Sequence, residues 1–281
     1  MQEHILTIAC ENRRGIVASV SGEISAHEGN ITEATQFDDR LSGQFFMRVA
    51  FELAGPEAAF RAAFEEVASR FAMRWTMRAA RQPMNVLILV SKFDHCLQDL
   101  LYRKRTGSLA MEVPAIVSNH LALAPLAEQA RIPFVHLPVT AATKASAEAR
   151  LFEVIEDTRA EFVVLARYMQ VLSDDACRRL PGRVVNIHHS FLPSFKGAKP
   201  YHQAHERGVK MIGATAHYVT GDLDEGPIIA QDVEHVSHAD TPDDLVGKGR
   251  DIERRVLARA VAWHLEDRVL LNGHKTVVFR K

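Results

Sequence analysis

The chain has 281 residues, 47% of them apolar and 25% charged, an ordinary globular composition with room for two domains. With a formal net charge of −1, nothing in the bulk balance argues for a nucleic-acid partner or an anionic membrane, and neither is expected. No basic start leads into an apolar leader, no apolar run approaches a membrane span, and Cys10, Cys96 and Cys177 fit neither a disulfide framework nor a zinc pattern, so the expected compartment is the cytoplasm.

Residues 4–10 read as a strand, and Glu11-Asn12-Arg13-Arg14-Gly15 as a turn in which Asn12 is expected to cap a helix. Ile16, Val17, Val20 and Ile24 recur at helical spacing until Gly29-Asn30. Strands are expected near 31–38 and 44–53, hinged at Asp39-Arg40-Leu41-Ser42-Gly43. A second helix starts after Gly55-Pro56 with Phe60, Phe64, Val67 and Phe71 on one face, and residues 73–78 supply the last strand. The order βαββαβ is ferredoxin-like. With Arg14-Gly15-Ile16-Val17 in its first turn, this segment resembles an ACT domain, a small module that often binds amino acids. Close relatives of that kind carry Asp-Arg-Pro-Gly where this sequence has Asn12-Arg13-Arg14-Gly15. Free N–H groups at the helix start make Asn12, Arg14, Gly15 and Ile16 the candidate receptor for an amino-acid carboxylate, with glycine and methionine the first ligands to try. Residues 1–82 are therefore expected to be a regulatory and assembly module of a homo-oligomer; the alternative is a domain kept for assembly alone.

Ala79-Ala80-Arg81-Gln82-Pro83 reads as a linker, and residues 83–281 as the second domain. Strands at 85–91, 113–118, 134–136 and 162–166 alternate with helices at 94–106, 122–130, 144–159 and 173–180. Such alternation implies a Rossmann-like, mostly parallel sheet with helices on both faces. Further on come a helix at 201–208, strands at 211–219 and 227–234, a long helix at about 241–266 and a final hairpin or strand at 268–279. The first strand–helix turn, Leu89-Val90-Ser91-Lys92-Phe93-Asp94-His95-Cys96, holds no glycine, so it is not expected to cradle a dinucleotide or a phosphate.

The chemistry is concentrated in residues 184–197. Val184-Val185-Asn186-Ile187-His188 reads as the end of a buried strand, with Asn186 and His188 on one face. A loop containing His189, Ser190, Pro193, Ser194, Lys196 and Gly197 follows. Strand ends are where open α/β sheets bind ligands. Downstream lies an acidic loop, Thr220-Gly221-Asp222-Leu223-Asp224-Glu225-Gly226, and upstream Arg167-Tyr168-Met169-Gln170-Val171-Leu172 leaves another buried strand. These stretches resemble the folate-dependent formyltransferase family, whose Asn-x-His…Asp triad falls on Asn186, His188 and Asp224. The double histidine, together with the ACT-like front, brings the chain nearer to the hydrolytic branch, the formyltetrahydrofolate deformylases.

The resemblance implies hydrolysis of 10-formyltetrahydrofolate to formate and tetrahydrofolate, with the folate as substrate and no cofactor or metal. Asn186 would donate to the formyl oxygen, His188 would stabilise the oxyanion and supply a proton, and Asp224 would hold that imidazolium or take a proton from water. Backbone groups of Met169, Gln170, Val171 and Leu172 would meet the pterin, with His217 nearby and Gly221 and Asp222 in the covering loop. His217 has the alternative of a core histidine with its bonds satisfied. Arg167 would meet the folate carboxylate or cap a helix. His189 is expected to point away from His188 if the strand stays regular. Three rival readings remain: transfer to an amine acceptor lacking a phosphate, a metallohydrolase using His188, His189, His202, His205 and Asp224, and a non-catalytic folate sensor.

Overall fold

The computed structural model describes residues 2–192 and 200–280, and it divides into two compact units. The front unit contains β1 (Gln2–Glu11), α1 (Ile16–Ala26), β2 (Asn30–Asp39), β3 (Gln44–Leu53), α2 (Glu57–Phe71) and β4 (Arg74–Ala79). The strands form an antiparallel sheet in the order β2-β3-β1-β4, as the ferredoxin-like expectation requires. Alternation explains the core: Leu6, Ile8 and Cys10 of β1 and Phe45, Met47, Val49 and Phe51 of β3 meet Val20 and Ile24 of α1 and Phe60 and Phe64 of α2. The cap of α1 is Gly15 in the left-handed region (φ 93°), not Asn12, whose backbone N–H donates to the Gly43 carbonyl at 2.8 Å.

The second unit runs from Pro83 to Leu265. Its elements are β5 (Met84–Val90), α3 (His95–Arg105), β6 (Met111–Glu112), β7 (Ile116–Ser118), α4 (Ala124–Gln129), β8 (Phe134–His136), α5 (Lys144–Asp157), β9 (Phe162–Leu165), α6 (Asp174–Arg179), β10 (Val184–His188), α7 (Pro200–Glu206), β11 (Met211–Tyr218), β12 (Ile228–His235) and α8 (Pro242–Leu265). Of the strand expected at 113–118 only β7 forms, after Pro114, which has no N–H to give a ladder, and the short β6 precedes the expected range. The main sheet runs β12-β11-β10-β9-β5-β7-β8, parallel from β8 to β10 and antiparallel at β11 and β12. The order reverses beside β5, and a doubly wound sheet opens its crevice at such a switch point. Ser91 ties the strand ends there, donating to Asn119 Oδ1 at 2.6 Å and accepting the Met169 N–H at 2.9 Å. Pro193 to Gly197 of the expected loop lie outside the described residues. No helix among the described residues is long and apolar enough to cross a membrane.

The tail corrects the expected division of the chain. From Glu266 onward it belongs to the front unit, as the hairpin β13 (Val269–Asn272) and β14 (Lys275–Val278). The second face of the front sheet is apolar too, and Ala9 and Phe46 pack against Leu270 and Phe279. Arg268, 2% exposed, donates to both Glu33 oxygens at 2.9 and 3.1 Å and to Glu266 at 2.7 Å, while Arg48 reaches the Glu266 carbonyl at 3.0 Å. A buried guanidinium needs such a full set of acceptors. Arg268→Met should lower the front unit's denaturant stability by ~1.5–3 kcal/mol, the usual range for hydrogen bonds to charged groups, measured on the full chain by hydrogen exchange of the sheet amides.

Candidate active site

The site is built around the end of β10. Val184 and Val185 are buried, and Asn186 and His188 share a face as strand alternation dictates. In register, Asn186 lies opposite His217 of β11. That pairing lets Asn186 Nδ2 donate to His217 Nε2 at 3.3 Å. His217 Nδ1 in turn donates to the Tyr218 carbonyl at 2.9 Å, which leaves Nε2 to accept from Asn186. The backbone thereby orients the Asn186 amide through an imidazole.

Asp224 is delivered by the β11–β12 connection in the left-handed region, at φ 58°. A Cβ on Gly226 would lie 1.8 Å from the Tyr218 carbonyl oxygen, so only glycine allows the connection to turn back so closely. Asp224 Oδ2 then sits 3.2 Å from His188 Nδ1, and Oδ1 sits 3.7 Å from His217 Nε2. Burial works to raise the Asp224 pKa. The His188 hydrogen bond opposes burial and prevails, holding the carboxyl well below the usual carboxylate range. His188 is 8% exposed, and its Nε2 is buried with no hydrogen-bond partner among the described residues. An imidazole nitrogen left in that condition is suited to a ligand.

A cavity of about 260 Å³ opens beside these groups. Met169, Gln170, Val171 and Leu172 line it, with Met169 and Val171 more than half exposed, and Thr220, Leu223 and Asp224 line it from the acidic loop. Gly221 and Asp222 belong to that loop without lining the cavity; the Asp222 carbonyl accepts from Thr220 Oγ1, a turn contact. The Met169 N–H is already spent on Ser91. His189 does not point away. The strand ends at His188, so its alternation no longer applies, and the two rings share the cavity with centres 5.1 Å apart.

Behind the cavity lies Glu253 of α8, 1% exposed, which the sequence reading missed. Its carboxylate accepts from His95 Nε2 and from the Tyr201 hydroxyl, each at 2.8 Å, and pairs with Arg167 Nε at 3.3 Å. Arg167 therefore anchors the end of β9; it is buried and held at φ 64°. The signal for Glu253 was its place between Gly249, Ile252, Val256 and Leu257 on the buried face of α8. Among the described residues, His95, Cys96 and Glu253 could meet one metal ion; His188, His189, His202, His205 and Asp224 form no such group. The Arg167 guanidinium beside Glu253 and a Cys96 thiol pushed far up by burial both oppose a cation there.

Comparison with known proteins converges on the same chemistry. The formyl transferase family model matches residues 84–261. The chain is 54% identical to a formyltetrahydrofolate deformylase of Corynebacterium over 99% of its own length and 98% of that protein's. It is 46% identical to the formyltetrahydrofolate deformylase of Bacillus subtilis over 98% of this chain and 93% of that one. A crystal structure of the formyltetrahydrofolate deformylase of Burkholderia mallei superposes with a TM-score of 0.97 and 53% identity, covering 100% of both chains. The chain belongs to the formyltetrahydrofolate deformylase family. Membership in the deformylases covers both units, because the matched lengths take in the front unit as well as the site.

The depressed Asp224 pKa has a consequence for deformylase stability. Its folded value lies below its unfolded value, so its contribution is complete above about pH 4 and is lost as pH falls through the folded value. Denaturant melts at pH 5 and pH 3 should show the unaltered protein losing more stability than Asp224→Asn. Equal losses would mean the carboxylate is not held by His188.

Proposed function

We propose that the protein hydrolyses 10-formyltetrahydrofolate to formate and tetrahydrofolate, with water as the acceptor and no cofactor. The observation that carries the reading is the His188–Asp224 pair, with Asn186 beside it, in a cavity walled by Met169–Leu172. The formyl carbon of an N10-substituted folate is amide-like, so attack on it passes through a tetrahedral oxyanion. Asn186, oriented by His217, donates to the formyl oxygen without changing charge. His188 presents Nε2 to the reacting group, and Asp224 holds its Nδ1 and stabilises the imidazolium. The exposed Met169 and Val171 side chains and Leu223 offer apolar surface to a flat pterin ring, with backbone groups of residues 169–172 giving the polar contacts.

Transfer to an amine is the less favoured reading. His95, in the glycine-free first turn, is committed to Glu253, and the Phe93 ring lies 5.4 Å from the Arg167 guanidinium. The side chains of that turn are thus committed to packing, and it holds no glycine that would let its backbone wrap a phosphate. In a cytoplasmic setting the hydrolysis would balance one-carbon pools and supply formate for purine synthesis.

The front unit is assigned regulation and assembly of a homo-oligomer. Its support is the left-handed turn at Gly15, which opens on the start of α1 with no side-chain cap and no acidic residue in the first turn. Asn12, Arg14, Gly15 and Ile16 frame that start, with Arg14 exposed and Ile16 buried. Calorimetric titration should show glycine or methionine binding, with a coupling to folate affinity of ~1–3 kcal/mol. Absence of binding by any amino acid would leave assembly as the unit's only role.

Incubation with 10-formyltetrahydrofolate alone should release formate and tetrahydrofolate in equal amounts; turnover only with an added amine would overturn the hydrolytic reading. Asp224→Asn should cut kcat by ~10²–10⁴ while folate still binds, and Asp222→Asn should be mild.

A further inference from the structure

The cavity holds a second imidazole that the triad leaves unused. His189 follows the last residue of β10, shares the cavity with Asn186, His188 and Asp224, and has its ring centre 5.1 Å from that of His188. At that separation a single small group bound beside the two rings can touch both. On its other side stands the Tyr201 ring, 6.4 Å between centres, held in place by its hydrogen bond to Glu253.

The remaining ionisable groups of the cavity are committed. Asp224 is taken up by His188 and held by it as an anion of very low proton affinity. His217 is spent on the Tyr218 carbonyl and on Asn186. Arg167 is paired with Glu253, and burial pushes the Tyr168 phenol up to about 12. Hydrolysis nonetheless requires something to take a proton from water as it attacks.

We propose that His189 is a further catalytic residue, the general base that accepts this proton and so makes water the acceptor of the formyl group. The proposal rests on the hydrolytic reading above. As the water oxygen bonds to the formyl carbon, one water proton passes to His189 and the carbonyl π pair moves onto oxygen, where N–H groups of Asn186 and His188 meet it. Collapse of the tetrahedral anion restores the C=O bond and breaks the bond to N10, which takes its proton from the His188 imidazolium. Formic acid and protonated His189 then give up two protons, one returning to His188 and one going to solvent. Formate and tetrahydrofolate remain.

The local electrostatics fit the timing of these steps. Burial, followed by the charges of Arg167 and His188, brings the His189 pKa down to about 4, so the free site holds a neutral ring with a lone pair to offer. The oxyanion that forms beside the two rings opposes those cationic neighbours and raises the proton affinity of His189 as the proton moves.

The test uses the full chain with His189→Gln and His189→Ala, supplied with 10-formyltetrahydrofolate with and without hydroxylamine. Hydroxylamine attacks through nitrogen without first losing a proton, so it needs the oxyanion donors and does not need the base. Both variants should bind folate normally and release formate ~10²–10⁴-fold more slowly, the usual worth of a general base, while formylhydroxamate production is little changed. Added imidazole should restore formate release to His189→Ala. The proposal is overturned if formate release stays near the unaltered level, or if hydroxamate and formate fall together. Should the unaltered protein release no formate without an amine, the hydrolytic reading itself fails, a result separate from either variant's behaviour.

Discussion

A single buried carboxylate holds the walls of the site together. Glu253 is 1% exposed, and an unpaired charge at such a depth would cost several kcal/mol. His95, Tyr201 and Arg167 supply the compensation, and although burial pushes its pKa up, they outweigh it and keep Glu253 ionised. These partners come from the start of α3, the start of α7 and the end of β9, so one residue of α8 fixes three of the segments around the cavity. Gly249, one turn earlier on α8, completes the arrangement: a Cβ there would lie 2.1 Å from the Tyr201 ring. The same pairing accounts for the turn at residues 92–95. Its side chains pack against Arg167 and Glu253, and a glycine-rich turn able to wrap a phosphate would leave that carboxylate short of a donor.

The side chains of Asn186, His188 and His217 are ordered by a second device, the register of β10 on β11. Placing Asn186 opposite His217 creates the chain from the Tyr218 carbonyl through His217 to the Asn186 amide. The register of β11 on β12 shifts between Ala216 and His217, an irregularity of the kind that re-aims side chains beside active sites. From there the chain passes through the Thr220–Glu225 turn and comes back at Gly226, which sets Asp224 against His188. A slip of one residue in β10 would turn Asn186 and His188 to the opposite face and leave Ile187 in their place. The geometry of this candidate site and the sheet register are therefore the same constraint.

This explains which parts of the site could be read from the sequence. Asn186 and His188 are two apart in a strand, so alternation put them on one face, whereas grouping them with Asp224 was implied by the resemblance to the formyltransferases. The βαββαβ order and the later strand–helix alternation likewise pointed to the two folds. What remained hidden was set by contacts distant in sequence. Glu253 meets His95 across 158 residues, and Arg268 meets Glu33 across 235. No local pattern records such partners. The position of His189 was misjudged for a different reason: period-2 logic was carried one residue beyond the strand's end. Asn12 looked like a cap because its side chain is suited to one, yet Gly15 takes that position in a conformation that glycine tolerates best.

The buried tail also limits how the front unit can meet other molecules. Helices α1 and α2 cover one face of its sheet, and the hairpin of β13 and β14 packs with Ala9 and Phe46 of the other. An antiparallel sheet with a free face could associate face to face; this one has apolar side chains committed on both sides. Within the unit, β2 and β4 are the edge strands. Of these β2 is the more exposed, with Phe37 at 45% and Ile31 at 36% on a strand of ten residues. A long edge with exposed apolar side chains tends to pair with another strand unless charge or distortion blocks it. The register shift between Ile31 and Glu33 distorts the start of β2 and Asp38 and Asp39 charge its end, two features that oppose such pairing.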